Sequence, residues 1–312
     1  MTLSQLHYMV AVAENKNFTM AAKKLNVTQP TLSMQVQKLE EELDVKIFNR
    51  KKKPVILTEV GEKIVLQAKK IILEANKIKD TIDIEKGFIK GDFRLGILPG
   101  LMNSLVPIFL NEFITKYKSI NLILEELTSY KLIKSLELGK LDAAITSTPL
   151  KNDKLIERPL FYEPFVLYLP PDHRLNSIEF IGKEDIENEQ ILIPKKGNCF
   201  RNQILNYFSK INDGNNKKLS LNSNSFKTLI DLTDKGFGIT ILPYLTARKL
   251  INEKNNFIKN FKTPPPAREI SLVYPKSELR IQIIQVLKET INTKIRGKLP
   301  LNDTQIVSPT IL

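Results

Sequence analysis

The first 57 residues repeat short apolar stripes at helical spacing, and this pattern predicts three helices followed by a β-hairpin. The stripes are Leu6, Met9, Val10 and Ala13 in the first helix, Ala22 and Leu25 in the second, and Leu32, Val36 and Leu39 in the third. Thr28 offers a hydroxyl N-cap for the third helix, and Pro30 fits its first turn. Residues 18–37 are therefore expected to form two helices joined by a tight turn.

Opposite its apolar stripe, the third helix carries short polar, amide and cationic side chains. They are Gln29, Thr31, Ser33, Gln35 and Lys38, with Thr28 at the N-cap. Such side chains can reach base edges and phosphates, and a helix of this kind crossed by a shorter one fits a helix-turn-helix in a major groove. An ordinary helical hairpin with a solvated face is the alternative interpretation of this segment.

A cluster of four cations lies between two short apolar runs, Ile47-Phe48 and Val55–Leu57, which predict a β-hairpin. The cations are Arg50, Lys51, Lys52 and Lys53. A hairpin that projects cations beside a helix-turn-helix is a wing, placed to contact DNA phosphates. A solvated loop is the alternative, and the neighbouring helices favour phosphate contact.

From Thr58 the pattern changes to one long helix with a narrow apolar seam. The seam consists of Val60, Ile64, Ala68, Ile71, Ala75, Ile78 and Ile82. A heptad-like seam on a helix too long for a small domain needs a partner helix, and the simplest partner is the same helix of a second copy. Packing against the rest of the same chain is the alternative.

Beyond Lys90 apolar strands alternate with amphipathic helices up to about residue 295, which predicts parallel sheets in two α/β subdomains with a cleft between them. Several of these helices are expected to begin with small polar residues: Asn103-Ser104, Thr128-Ser129, Asn198-Cys199 and Ser223–Ser225. Helix N-termini that converge at strand ends form an anion site. The same residues also serve as ordinary N-caps.

Composition supports a nucleic-acid partner, because 47 Lys and Arg outnumber 34 Asp and Glu and give a net charge of +13. No apolar run approaches the about 20 residues of a membrane span, and no secretory signal is evident. The single cysteine suits a reducing cytosol, so we expect a cytoplasmic protein. Two histidines, without a phosphate-loop or metal-ligand pattern, argue against an enzyme, a metal site or a cofactor.

The chain resembles LysR-type transcriptional regulators over residues 1 to about 295. The motifs that carry this resemblance include Val27-Thr-Gln-Pro-Thr-Leu-Ser33, Leu138-Gly-Lys-Leu-Asp142 and Gly236-Phe-Gly-Ile-Thr-Ile-Leu-Pro243. The resemblance implies an α/β protein with a winged helix-turn-helix domain (1–58), a linker and dimerisation helix (59–88), a periplasmic-binding-protein-like effector domain (91–295) and a tail (296–312). It further implies an activator that binds promoter DNA and RNA polymerase, assembled as a homodimer or homotetramer.

Within that family, the segment Lys195-Lys-Gly-Asn-Cys-Phe-Arg-Asn-Gln203 is similar to the sensor of the peroxide-responsive OxyR branch. A helix N-terminus and nearby arginines favour the thiolate of Cys199, which reacts with peroxide. Together with the helix N-termini, the resemblance predicts an effector site formed by Gly100, Thr128, Ser129, Cys199, Arg201, Asn202 and Arg268.

Four positions depart from the pattern of that branch. Phe208 stands where the branch has its resolving cysteine, Gly100 where it has a peroxide-binding hydroxyl, Glu125 where it has a histidine, and Asn202 where it has an aspartate. Without a second cysteine no intramolecular disulfide can form. Two hypotheses follow: Cys199 senses peroxide as a single cysteine, or Cys199 is inert and the cleft binds a small anionic metabolite.

Overall fold

The computed structural model describes residues 1–85, 90–208, 221–300 and 303–309. The chain divides into two compact units, Met1–Phe88 and Ile89–Leu312. No helix in the described part of the chain is long and apolar enough to cross a membrane.

The first unit contains the three helices, the hairpin and the long helix that the apolar pattern predicts. Its helices are α1 (Leu3–Asn15), α2 (Phe18–Lys24), α3 (Gln29–Glu42) and α4 (Glu59–Glu85), and its strands are β1 (Phe48–Asn49) and β2 (Ile56–Leu57). The stripe of α3 is fully buried, and Thr28 caps that helix by accepting from the N–H of Thr31 at 3.4 Å. β1 and β2 pair antiparallel, so the cations lie at a hairpin tip.

The seam of α4 is shared between the core of the first unit and its surface. Ala68 is buried in that core, and Ile64 and Ile71 pack against it, so this part of the seam follows the alternative of intrachain packing. Val60 and Ile78 remain 47% and 65% exposed. The side chain of Ile82 and residues 86–88 of the expected linker lie outside the description.

The second unit contains strands and helices in alternation, arranged around two sheets. Its helices are α5 (Pro99–Ser104), α6 (Val106–Lys116), α7 (Ser129–Glu137), α8 (Cys199–Tyr207), α9 (Phe226–Asp234), α10 (Tyr244–Ala247), α11 (Ile251–Lys254) and α12 (Ile281–Ile295). Its strands are β3 (Gly91–Ile97), β4 (Ile120–Glu126), β5 (Ala143–Thr148), β6 (Leu155–Tyr168), β7 (Phe180–Ile181), β8 (Ile191–Leu192), β9 (Ile239–Pro243), β10 (Ile258–Phe261), β11 (Pro266–Pro275) and β12 (Gln305–Ile306).

One sheet has the order β4-β3-β5-β11-β6, and the other contains β8, β9, β6, β10 and β7. The prediction of parallel sheets is correct for β4-β3-β5 and β8-β9, which are linked through helices, and wrong for β6 and β11. β6 follows β5 with no helix between them, and it runs antiparallel to β11, β9 and β10. Pro159, Pro164 and several charged residues give the first part of β6 the sequence character of a loop, which hides a long strand from the apolar pattern.

The C-terminal tail packs onto the second unit. β12 adds a parallel strand to the start of β11, and Val307 is buried in the core beneath α8. The buried side chain of Gln203, on α8, donates to the carbonyl of Val307 at 2.6 Å. The tail thereby ties α8 to β11.

Candidate functional site

The exposed face of α3 displays part of the polar set predicted to touch DNA. Thr28, Gln29, Thr31 and Lys38 are exposed. Ser33 and Gln35 are half-buried on the flanks: the Oγ of Ser33 accepts from Arg50 at 3.3 Å, and the Oε1 of Gln35 accepts from Gln5 at 3.4 Å. The arrangement therefore offers the first turn of α3 and Lys38 to a partner more directly than it offers Ser33 and Gln35.

Met34 lies at the centre of this exposed face and is absent from the polar set that the sequence predicts to touch DNA. Its side chain is 49% exposed, between the exposed Pro30 and Lys38. Helical periodicity could have identified Met34, because positions 30, 34 and 38 are each about one turn apart and lie opposite the buried stripe. An apolar side chain at this place can contact the methyl group of thymine.

Arg50 differs from the three lysines with which it was grouped. Its Nη2 donates to the Oε2 of Glu40 at 3.0 Å, and its guanidinium lies 5.0 Å from the ring centroid of Phe18. Glu40 is buried, and its Oε1 accepts from the N–H groups of Ile47 and Phe48 at 2.7 and 3.1 Å. Arg50 thus helps to fix the wing against α3, whereas Lys51, Lys52 and Lys53 are exposed at the tip.

In the second unit, four helix N-termini converge on a small cavity of about 20 Å³. The residues that line it are Leu98, Pro99 and Gly100 at α5, Thr128 and Ser129 at α7, Gly197, Asn198, Cys199 and Phe200 at α8, Asn224 and Phe226 at α9, and Arg268 on β11. A water needs about 10–15 Å³ in this measure, so the cavity suits a molecule of one or two heavy atoms.

Two residues expected at a helix start lie elsewhere. Asn103 and Ser104 form the C-terminal end of α5, because the helix begins at Pro99, a residue suited to a first turn. They line a larger neighbouring cleft instead. The residues at the start of α5 that reach the small cavity are therefore Leu98, Pro99 and Gly100, and Asn103 and Ser104 do not reach it.

Cys199 is the first residue of α8 and only 8% exposed. The N-cap Asn198 accepts from the N–H of Phe200 at 2.9 Å, which fixes the start of the helix beside the thiol. Ser129 lines the same cavity, and its buried Oγ has no hydrogen-bond partner among the described residues. A buried hydroxyl without a partner is costly, which marks Ser129 as an unusual residue of this site.

The arginines around Cys199 have partners of their own. Arg268 is buried, and its Nε and Nη2 donate to the Oε2 of Glu163 at 2.9 and 2.7 Å. The carboxylate of Glu163 compensates the charge of Arg268. Arg201 donates to the carbonyl of Pro194 at 3.1 Å, and neither Arg201 nor Asn202 is among the residues that line the cavity.

A larger cleft of about 950 Å³ adjoins the small cavity. Four lysines, Lys131, Lys227, Lys249 and Lys254, line it together with Glu126 and Asp231. Behind it, burial and the hydrogen bond to Asp234 raise the pKa of Tyr168. No group of three or more His, Cys, Asp or Glu side chains in the described ranges could hold a metal ion.

Two family models match the chain. The bacterial regulatory helix-turn-helix protein of the lysR family matches residues 3–62, and the LysR substrate binding domain matches residues 86–296. The hydrogen peroxide-inducible genes activator of Pectobacterium carotovorum subsp. carotovorum is 31% identical, over 95% of this chain and 98% of that protein. The DNA-binding transcriptional dual regulator OxyR of Escherichia coli (strain K12) is 30% identical, over 95% of this chain and 97% of its own length.

Among solved structures, a full-length OxyR variant from Pseudomonas aeruginosa aligns with a TM-score of 0.77 and 31% identity. The alignment covers 93% of this chain and 94% of the other. The similarity therefore extends over both units.

Proposed function

The chain belongs to the LysR family of transcription regulators and is OxyR-like. On that premise, we propose that it regulates promoters through oxidation of Cys199 by hydrogen peroxide. The observation that carries this proposal is the site itself. A thiol at a helix N-terminus lies beside a cavity large enough for one or two heavy atoms, and Ser129, which also lines the cavity, has a buried hydroxyl without a partner among the described residues. The similarity to hydrogen peroxide-inducible genes activators supports the same effector.

The proposed chemistry is a two-electron oxidation of sulfur. The Cys199 thiolate attacks one peroxide oxygen, an S–O bond forms, the O–O bond breaks, and the leaving hydroxide takes up a proton to become water. Because Cys199 is the only cysteine of the chain, the sulfenic acid has no intrachain thiol to condense with. The end state is the sulfenic acid, or a mixed disulfide formed with a small thiol as water leaves.

Peroxide should label Cys199 with a dimedone-type probe that traps sulfenic acids. We expect one adduct per chain by mass spectrometry and none in Cys199→Ser, since the serine hydroxyl is not oxidised by peroxide. Probe added without peroxide is the control. An unlabelled wild-type chain, at peroxide concentrations that oxidise free cysteine, would refute the redox proposal.

The second candidate is a response to a small anionic metabolite, with Cys199 inert. The four lysines around the larger cleft favour it, although Lys227 is paired with Asp231 and Lys254 with Asp234. Helix N-termini at Ser129 and Cys199 border the adjoining small cavity and could hold a carboxylate at that end of the cleft. Under this alternative Cys199→Ser would respond to its effector as the wild type does.

For the first unit we propose base contacts by Gln29, Thr31 and Met34, aided by Ser33 and Gln35, and phosphate contacts by Lys38 and Lys51–Lys53. We assign the DNA-binding domain to residues 1–58, the linker helix to 59–88, the effector domain to 91–295 and the tail to 296–312. Promoter DNA and RNA polymerase are the proposed macromolecular partners of an activator.

We propose that α4 joins two copies of the chain, as the first step towards a tetramer. Ile78 is the sharpest probe, because it is 65% exposed and belongs to the seam, whereas Ile71 packs against the core of its own unit. Ile78→Glu should give a smaller species in light scattering with an unchanged far-UV circular dichroism spectrum. Lys63→Glu, on the exposed side of the same helix, is the charge control. An unchanged mass for Ile78→Glu would contradict a seam between copies.

A further inference from the structure

The small cavity at Cys199 and the larger cleft share a wall. Pro99, Gly100, Thr128, Asn224 and Phe226 line both of them. Of these five residues, Phe226 has the largest side chain, and it is half-buried at the start of α9. The aromatic ring therefore lies where the larger cleft and the small cavity meet.

Gly100 and Phe226 are complementary in volume. A Cβ built on Gly100 would lie 2.7 Å from the Cε2 of Phe226, well inside van der Waals contact. The ring thus occupies the space that a side chain at position 100 would need. The Phe226 ring can take this position because residue 100 is a glycine, which has neither a side chain nor a hydroxyl.

The ring packs against two clusters of buried side chains, one that contains Phe200 and another that contains Ile230. It meets Phe200 edge to face at 5.6 Å between centroids, and Phe200 meets Phe165 in the same way at 4.9 Å. The ring also borders the larger cleft, so a displacement of the Phe226 side chain would widen the space beside Gly100.

We propose that Phe226 is a gate that sets the size of the molecules able to reach Cys199. This inference rests on the proposed function of Cys199 and adds its specificity. Hydrogen peroxide, with two heavy atoms, fits the small cavity beside the ring, whereas bulky hydroperoxides and thiols need the ring displaced. The gate also shields the sulfenic acid from bulky thiols, which would otherwise condense with it to a mixed disulfide.

The test is the labelling of Cys199 in the full chain. A thiol reagent reports on this residue alone, because the chain has no other cysteine. Rates are measured with a small reagent, methyl methanethiosulfonate, and a bulky one, a fluorescein maleimide. Phe226→Ala should raise the ratio of bulky to small rates by roughly tenfold or more, since access controls reaction at a buried thiol. Phe226→Leu, which keeps most of the volume, should change the ratio little.

Phe180→Ala removes an exposed ring on β7 and is the matched control, expected to leave the ratio unchanged. Gly100→Ala is a second probe, because its added methyl group pushes against the ring and should change the ratio even where Phe226→Ala folds poorly. An unaltered ratio in both variants, or equal acceleration of both reagents, would overturn the gate. The labelling assay needs no peroxide, so it tests the gate separately from the proposed function. If the labelling ratio changes as expected but peroxide does not oxidise Cys199, only the proposed function is refuted.

Discussion

Arg268→Met should lower the free energy of unfolding of the second unit by about 3–5 kcal/mol, the cost of leaving one partner of a buried ion pair uncompensated. Arg268 and Glu163 have side chains only 3% and 0% exposed. They face each other on β11 and β6, where the long strand β6 passes from one sheet to the other. The other carboxylate oxygen of Glu163 accepts from the N–H of Leu245 at 2.9 Å, so the charge cannot turn towards water.

Denaturant unfolding followed by far-UV circular dichroism measures this effect, since the chain has no tryptophan. Glu163→Gln combined with Arg268→Met should recover at least half of the loss, because the amide removes the buried charge and retains an acceptor for Leu245. Lys262→Met breaks an exposed ion pair with Glu184 and should leave stability unchanged within error. A loss for Arg268→Met no larger than that of Lys262→Met would show that the pair is not buried as described.

Gln29→Ala should weaken binding to the cognate DNA site by about 1–3 kcal/mol, with little effect on random DNA. Gln29 is exposed in the first turn of α3, where a recognition helix meets base edges. Met34→Ala should also weaken the cognate complex selectively, through a lost apolar contact.

Lys52→Ala is the contrasting variant in the same assay. It should weaken cognate and random complexes alike and flatten the salt dependence of binding by about one unit, because it removes one phosphate contact. Fluorescence anisotropy at several salt concentrations separates the two behaviours. Equal losses on cognate and random DNA for Gln29→Ala would contradict base recognition by α3.

The first unit was predictable almost entirely because its signals are local. Apolar stripes, the cap at Thr28 and the turn residues all lie within a few positions of the structure they determine. Arg50 was placed with the lysines because nothing in the sequence near it shows that Glu40 is buried and needs a cation. Met34 is not identified by polarity, because its side chain is apolar, and only its position on the helix shows that it is exposed.

The pocket around Cys199 was only partly predictable, for the same physical reason. Helix starts after strands indicated that Ser129 and Cys199 would meet, since strand ends share an edge of the sheet. The pairing of Arg268 with Glu163, and of Gly100 with Phe226, depends on contacts between residues more than a hundred positions apart. Such contacts follow from topology, and the mixed direction of β6 and β11 was itself not evident in the sequence.

The most direct test of a peroxide-responsive regulator acting through Cys199 is DNA binding by the full chain to its own upstream DNA, with and without peroxide. For the wild type, peroxide should change the apparent Kd by roughly threefold or more, equivalent to about 0.6 kcal/mol, or change the footprint. Cys199→Ser should bind the same DNA and show no response. An equal peroxide response in Cys199→Ser, or none in a wild-type chain that binds its DNA normally, would contradict the account.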